Sequence, residues 1–183
     1  MAIQPDTKDW TWVLDRPCPE CGFHAARVSG PEVPDLIRRT GEAWCHVLTG
    51  PVTAGGRRPN LDVRPAPDRW SSLEYGCHVR DVLRLCDARL QLMLIQADPA
   101  FPNWDQDQTA VDANYASQDP AVVASSLAAA AERFAGDLAG VGPGSWTRRG
   151  RRSDGATFSV ETFARYVAHD PVHHLADVGA PLR

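Results

Sequence analysis

Four stretches of the chain read as helices, and in the first two apolar residues recur near helical spacing. The first opens at Pro31 and runs to about Leu48, with Val33, Ile37, Trp44 and Val47/Leu48 on one face and Gly50-Pro51 as its stop. A loop rich in Gly, Arg and Pro (Val52 to Asp68) leads to the second, from about Ser71 to Ala97. There Ser71 and Glu74 have the spacing of a capping box, and Leu73, Val82, Leu85, Leu92 and Ile95 supply an apolar face. The third spans about Pro120 to Ala139, with Asp119 as N-cap, proline at the first helical position and an alanine-rich body. The fourth starts after Ser159 and continues to about Val178, where Gly179 ends it.

Between these helices the pattern changes. Trp146 to Ser159 reads as a hairpin turning at Ser153-Asp154-Gly155. Pro99 to Asp119 is too long for a tight turn and carries Trp104, Asp105 and Asp107, which have the makings of a cover over a site. Residues 1–30 are irregular but hold Trp10, Trp12 and Phe23, so this arm is expected to pack on the domain formed by residues 31–183. The architecture predicted is all-α, a four-helix bundle with an irregular arm and a small hairpin before the last helix.

Composition narrows the function. A net charge of -4 argues against nucleic acid, whose phosphates demand a basic surplus. Arg148, Arg149, Arg151 and Arg152 crowd one short stretch, as a solvated turn or as a grip on an anionic group. No apolar run reaches the ~20 residues of a membrane-spanning helix, and no signal-like segment opens the chain, so a cytoplasmic protein without a membrane partner is expected. Five cysteines in a reducing compartment do not suggest a disulfide framework. Cys18-x-x-Cys21 reads as packing residues, a redox pair, or half a zinc site lacking a second CxxC. Lys8 is the only lysine beside eighteen arginines, a skew that points to a GC-rich, actinobacterial genome.

The chemistry concentrates in His169-Asp170-Pro171-Val172-His173-His174 on the fourth helix. Histidines four apart share a face, so His169 and His173 can converge on one ion, while His174 points ~100° away from His173. His78, in phase with Leu85 and Leu92 on the second helix, is the best third ligand. Three imidazoles suit zinc first, with nickel or iron as alternatives, and leave a position open. Such a pair also arises by chance, and an inward histidine can be a hydrogen-bonded core residue. Asp81, one turn after His78, and Asp170 are candidates to assist catalysis, and Tyr75 to orient substrate. Pro171 between the paired histidines should kink the helix or move its start.

At Trp70-Ser71-Ser72-Leu73-Glu74-Tyr75-Gly76-Cys77-His78 and at His169 to Leu175, the chain resembles the DinB/YfiT-like metalloproteins. The resemblance spans roughly residues 31–178 and implies an up-down-down-up order of helices. It also implies a metal-dependent S-transferase or isomerase joining a low-molecular-weight thiol, mycothiol or bacillithiol, to an electrophile. The arginine-rich composition favours mycothiol. A metal-assisted hydrolase and a non-catalytic metal- or ligand-binding stress protein are the alternatives, and a homodimer stays open.

Overall fold

A computed structural model describes residues 9–50 and 60–182. The first eight residues of the expected arm, and Pro51 with the opening of the Gly/Arg-rich loop, lie outside them. Four long helices dominate: α1 (Val33–Thr49), α2 (Ser72–Ile95), α4 (Pro120–Ala139) and α5 (Val160–Asp177), with a short α3 (Gln106–Asp112) between the second and third of these. The long helices form an up-down-down-up bundle in which α4 and α5 each pack against both α1 and α2. Their seam is filled by Ile37, Trp44, Leu83, Leu90, Leu127, Phe134, Phe163 and Leu175, all buried.

Local sequence accounts for the helix ends. The Ser71–Glu74 capping box forms in both directions, and Ser159 caps α5 by accepting from the Thr162 amide. Asp119 accepts from the amides of Ala121 and Val122, with Pro120 following as the first helical residue. Alanines let α4 lie close to α1. A Cβ added to Gly41 would come within 2.7 Å of the Ala131 methyl, so glycine sets that approach.

Two departures from the periodicity appear. The long connection after α2 is structured: β1 (Ala100–Phe101) pairs in parallel with β2 (Arg149–Arg152), which pairs antiparallel with β3 (Thr157–Ser159). The expected hairpin is therefore two strands of a three-stranded sheet. Asp105, read in the sequence as part of a cover, caps α3 by accepting from the amides of Asp107 and Gln108. The arm, from residue 9 to the start of α1, runs as three short 3-10 turns, at Trp10–Leu14, Ala25–Arg27 and Gly30–Glu32, against α5.

α5 neither starts late nor breaks. It is continuous through Pro171, which costs one helical hydrogen bond one turn earlier. The Pro171 carbonyl accepts a bond from the Trp44 indole at 3.1 Å, tying α5 to α1 at that point.

Candidate metal centre

Of three overlapping donor groups among the described residues, two lie side by side on α5, each built on residues four apart, and the third, His173, His174 and Asp177, links them. His169 and His173 share one face with Cys18 and Cys21 of the arm. Asp170 and His174, one residue further along in each case, share the adjacent face with His78 from α2. Within each group one donor atom per residue lies within 4.8 Å of every other. The three histidines expected together border one cavity but do not share one such group: His78 groups with Asp170 and His174, His169 with His173 and the cysteines, and His173 also with His174 and Asp177.

In the first group to consider, the Asp170 carboxylate stands between two imidazoles. Its Oδ2 is 3.3 Å from His78 Nε2 and 3.7 Å from His174 Nε2. Donors about 2.0–2.2 Å from a tetrahedral ion are about 3.4 Å apart, so these separations suit one. The remaining Asp170 oxygen, Oδ1, is buried with no hydrogen-bond partner, as is His78 Nδ1. His174 turns its other nitrogen, Nδ1, to Asp177 at 2.8 Å, which fixes the ring with Nε2 toward Asp170. Burial alone would raise the Asp170 carboxyl. The His78 and His174 rings outweigh it and hold the group well below the usual carboxylate range. Asp177 follows the same pattern, with the His174 hydrogen bond overcoming burial.

This group lines a cavity of about 270 Å³, and His169 and His173 of the other group also reach its wall. Trp104 from the long connection stacks on His78 with ring centres 5.6 Å apart. Val82 and Leu85 form apolar wall, and two cations enter it, Arg89 and Arg152. Burial pushes the Arg89 guanidinium down, and Arg152 beside it adds to the effect. Arg152 donates to the Tyr166 hydroxyl at 2.9 Å and pairs with Asp154. Of the four clustered arginines only Arg152 lines the cavity. Arg148 instead donates to the carbonyls of Met93 and Gln96, and Arg151 pairs with Asp98.

The other candidates for catalytic roles separate clearly. Asp170 belongs to the donor group. Asp81 does not line the cavity; it accepts from Arg80 at 2.8 and 2.9 Å and from the Tyr115 hydroxyl at 2.7 Å. Tyr75 packs its ring 4.8 Å from His174 and 5.6 Å from Trp70, behind the site. Burial pushes its hydroxyl up to about 12.

In the second group, Cys18 Sγ is 3.6 Å from His173 Nδ1. His173 turns Nε2 toward Glu20 at 3.5 Å and Asp177 at 3.7 Å. His169 Nε2 is buried without a hydrogen-bond partner. Burial, with His173 adding to it, lowers the His169 ring to about 4, and burial lowers His173 too. The Trp10 ring lies 5.4 Å from His169 and 5.0 Å from His173, and Phe23 lies 5.8 Å from His169.

Two signals for these groupings were present in the sequence. Asp170 and His174 repeat the four-residue spacing of the histidine pair, so a carboxylate–histidine pair was as available as the imidazole pair. Cys18-x-x-Cys21 has a counterpart in His169-x-x-x-His173, which offers the same number of donors.

A four-helix bundle that gathers nitrogen and oxygen donors between facing helices is of the kind that houses metal sites. Comparison with known proteins gives the family. Residues 59–178 match the model of the DinB superfamily, and the chain belongs to that superfamily. Among solved structures it is similar to YfiT from Bacillus subtilis, described as a probable metal-dependent hydrolase with an unusual four-helix bundle topology. The TM-score is 0.69 at 14% identity, covering 98% of this chain and 91% of YfiT. No curated protein matches the chain.

Proposed function

We propose that the chain is a metal-dependent enzyme holding one divalent ion, zinc first, through His78, Asp170 and His174, and that it joins a low-molecular-weight thiol to an electrophile. This keeps His78 from the ligand set read in the sequence and moves the other two ligands one residue along α5. The observation that carries it is the Asp170 carboxylate, facing two imidazoles at 3.3 and 3.7 Å with its second oxygen buried and unpartnered, in the wall of a cavity. Three protein ligands leave a position for a substrate group. When bound there, a divalent ion supplies the Lewis acidity that lowers a thiol from its ordinary pKa near 8.5 into the neutral range.

The chain's own residues supply the rest. Asp177 holds His174 in the orientation that directs Nε2 at Asp170. Trp104 covers the open face of His78 and excludes water there. Arg89 and Arg152 offer two cations to an anionic group on thiol or electrophile, and Tyr166 steadies Arg152. A cavity of about 270 Å³ with mixed apolar and cationic walls suits an amphipathic organic substrate. Mycothiol is the thiol favoured by the arginine-rich composition.

A second reading, metal-assisted hydrolysis, draws on the likeness to YfiT and uses the same position for water. Purified protein should be assayed with an electrophile plus mycothiol, glutathione or a simple dithiol, and separately with ester substrates without thiol. Thiol consumption that disappears in Asp170→Asn and His174→Ala supports the transferase. Ester turnover with the same dependence supports the hydrolase. Neither activity, with tight retention of a small ligand, makes it a binding protein.

A further inference from the structure

We propose a second metal site, a closed Cys2His2 zinc centre formed by Cys18, Cys21, His169 and His173, which staples the N-terminal arm to α5. It shares no ligand with the site proposed above and stands independently of the activity assigned there.

Two soft thiols and two imidazoles are a donor set characteristic of structural zinc, and four protein ligands complete its tetrahedron with no position left for substrate. The spacing is right at both ends: two residues between the cysteines and three between the histidines. The cysteine end is shaped as a tight turn. The Gly22 amide donates to the Cys18 carbonyl at 2.8 Å, and the Cys18 amide donates to the Phe23 carbonyl at 2.8 Å. Gly22 sits at φ +75°, a conformation that costs glycine little, so the chain can reverse and turn both thiols to one side. At the other end α5 sets the two rings one turn apart, with centres 4.9 Å from each other.

The distances are those of ligands around an ion. Zinc–sulfur near 2.3 Å and zinc–nitrogen near 2.05 Å at a tetrahedral angle separate S and N by about 3.6 Å. Cys18 Sγ and His173 Nδ1 are 3.6 Å apart. A thiol–imidazole hydrogen bond would account for that pair alone. It would leave His169 Nε2 buried and unsatisfied, a costly state for a ring that is 4% exposed. One ion satisfies all four residues together. The back of His173 is arranged to match, since its Nε2 faces the Glu20 and Asp177 carboxylates as a metal-bound imidazole's outer nitrogen commonly does.

The consequence reaches the cavity. Trp10, which packs on both His169 and His173, is also part of the cavity wall beside His78, Asp170 and His174. Zinc at the second site therefore fixes the arm that completes that wall.

The test uses the full chain purified under reducing conditions without chelator or added thiol. Elemental analysis should give about two ions per chain, falling to about one in Cys18→Ser/Cys21→Ser and again to about one in His78→Ala/His174→Ala. The His78→Ala/His174→Ala protein, reloaded with cobalt, should show the intense near-ultraviolet sulfur-to-cobalt band and tetrahedral visible bands. Native protein should expose Cys18 and Cys21 to a thiol reagent only after a chelator is added. These measurements on chains with intact cysteines stand even if the serine variant fails to fold. A cobalt spectrum without the sulfur band would overturn the second site. So would rapid labelling of both cysteines in metal-loaded protein, or a disulfide joining them in the purified chain. Loss of the ion only on changing His78 and His174 leaves the catalytic reading standing without the staple. Loss only on changing the cysteines does the reverse.

Discussion

Two donor groups a single residue out of phase on α5 border one cavity but take different partners. His169 and His173 look toward the arm, where Cys18 and Cys21 can complete four ligands under Trp10 and Phe23. Asp170 and His174 look toward α2, where His78 adds a third donor, and these three, with His169 and His173, border the one cavity. With an ion bound as proposed, the first arrangement would close a coordination shell and the second would leave it open. That is the usual division between metal sites that hold structure and metal sites that do chemistry. One helical turn can thus present both kinds, because a one-residue step rotates a side chain by ~100°.

The comparison breaks first at Asp170. Asp170→Asn keeps the shape but removes the charge between the two imidazoles. Turnover should fall by more than the ~10–100-fold typical of losing an outer partner, while the sulfur-to-cobalt band of the arm stays intact. Loss of that band as well would show the two groups to be one site.

Asp177 lies against both groups, 2.8 Å from His174 Nδ1 and 3.7 Å from His173 Nε2. Asp177→Asn should weaken metal affinity at the open site by ~10–100-fold and less at the closed site, where Glu20 also faces His173. Competition with a chelator of known affinity reads both. Equal weakening would mean that the shorter contact does not set the order.

The smallest effect concerns the scaffold under His78. Glu74 closes the Ser71 capping box and pairs with Arg64. Burial would raise its carboxyl, but Arg64 and the Ser71 amide outweigh burial and hold it below its ordinary 4.5. A depressed carboxyl stabilises the fold above its unfolded value and loses that contribution as pH falls through the folded one. Glu74→Gln should therefore cost about 1–3 kcal/mol at neutral pH, and the gap from the parent protein should narrow below about pH 4. Thermal unfolding across pH measures it. A gap that widens in acid would contradict the assignment of the charge to Glu74.

The helices were legible because their signals are local. Capping at Ser71 and Asp119 and the apolar face of α1 are written in nearby residues. On α2 Leu73 and Val82 are buried as read, but Leu85 and Leu92 are half-buried and Ile95 is exposed, because the face that meets the bundle carries Leu83, Cys86, Leu90 and Met93. β1 was not legible, since two residues carry no periodicity and pair only because β2 is brought beside them. Continuity of α5 through Pro171 was likewise unreadable: the rules for proline weigh the lost hydrogen bond, while the packing that offsets it comes from Trp44 on another helix.

The sequence by itself determined that α5 carries a cluster of donors at four-residue spacing and that α2 offers His78 from a buried face. It could not decide how the donors divide. His169/His173 and Asp170/His174 have identical spacing, so only the rotation of α5 within the bundle selects which pair meets His78 and which meets the arm. That rotation is set by Trp44, Phe163, Leu175 and the other core side chains around the helix, a balance of contacts among residues far apart in the chain.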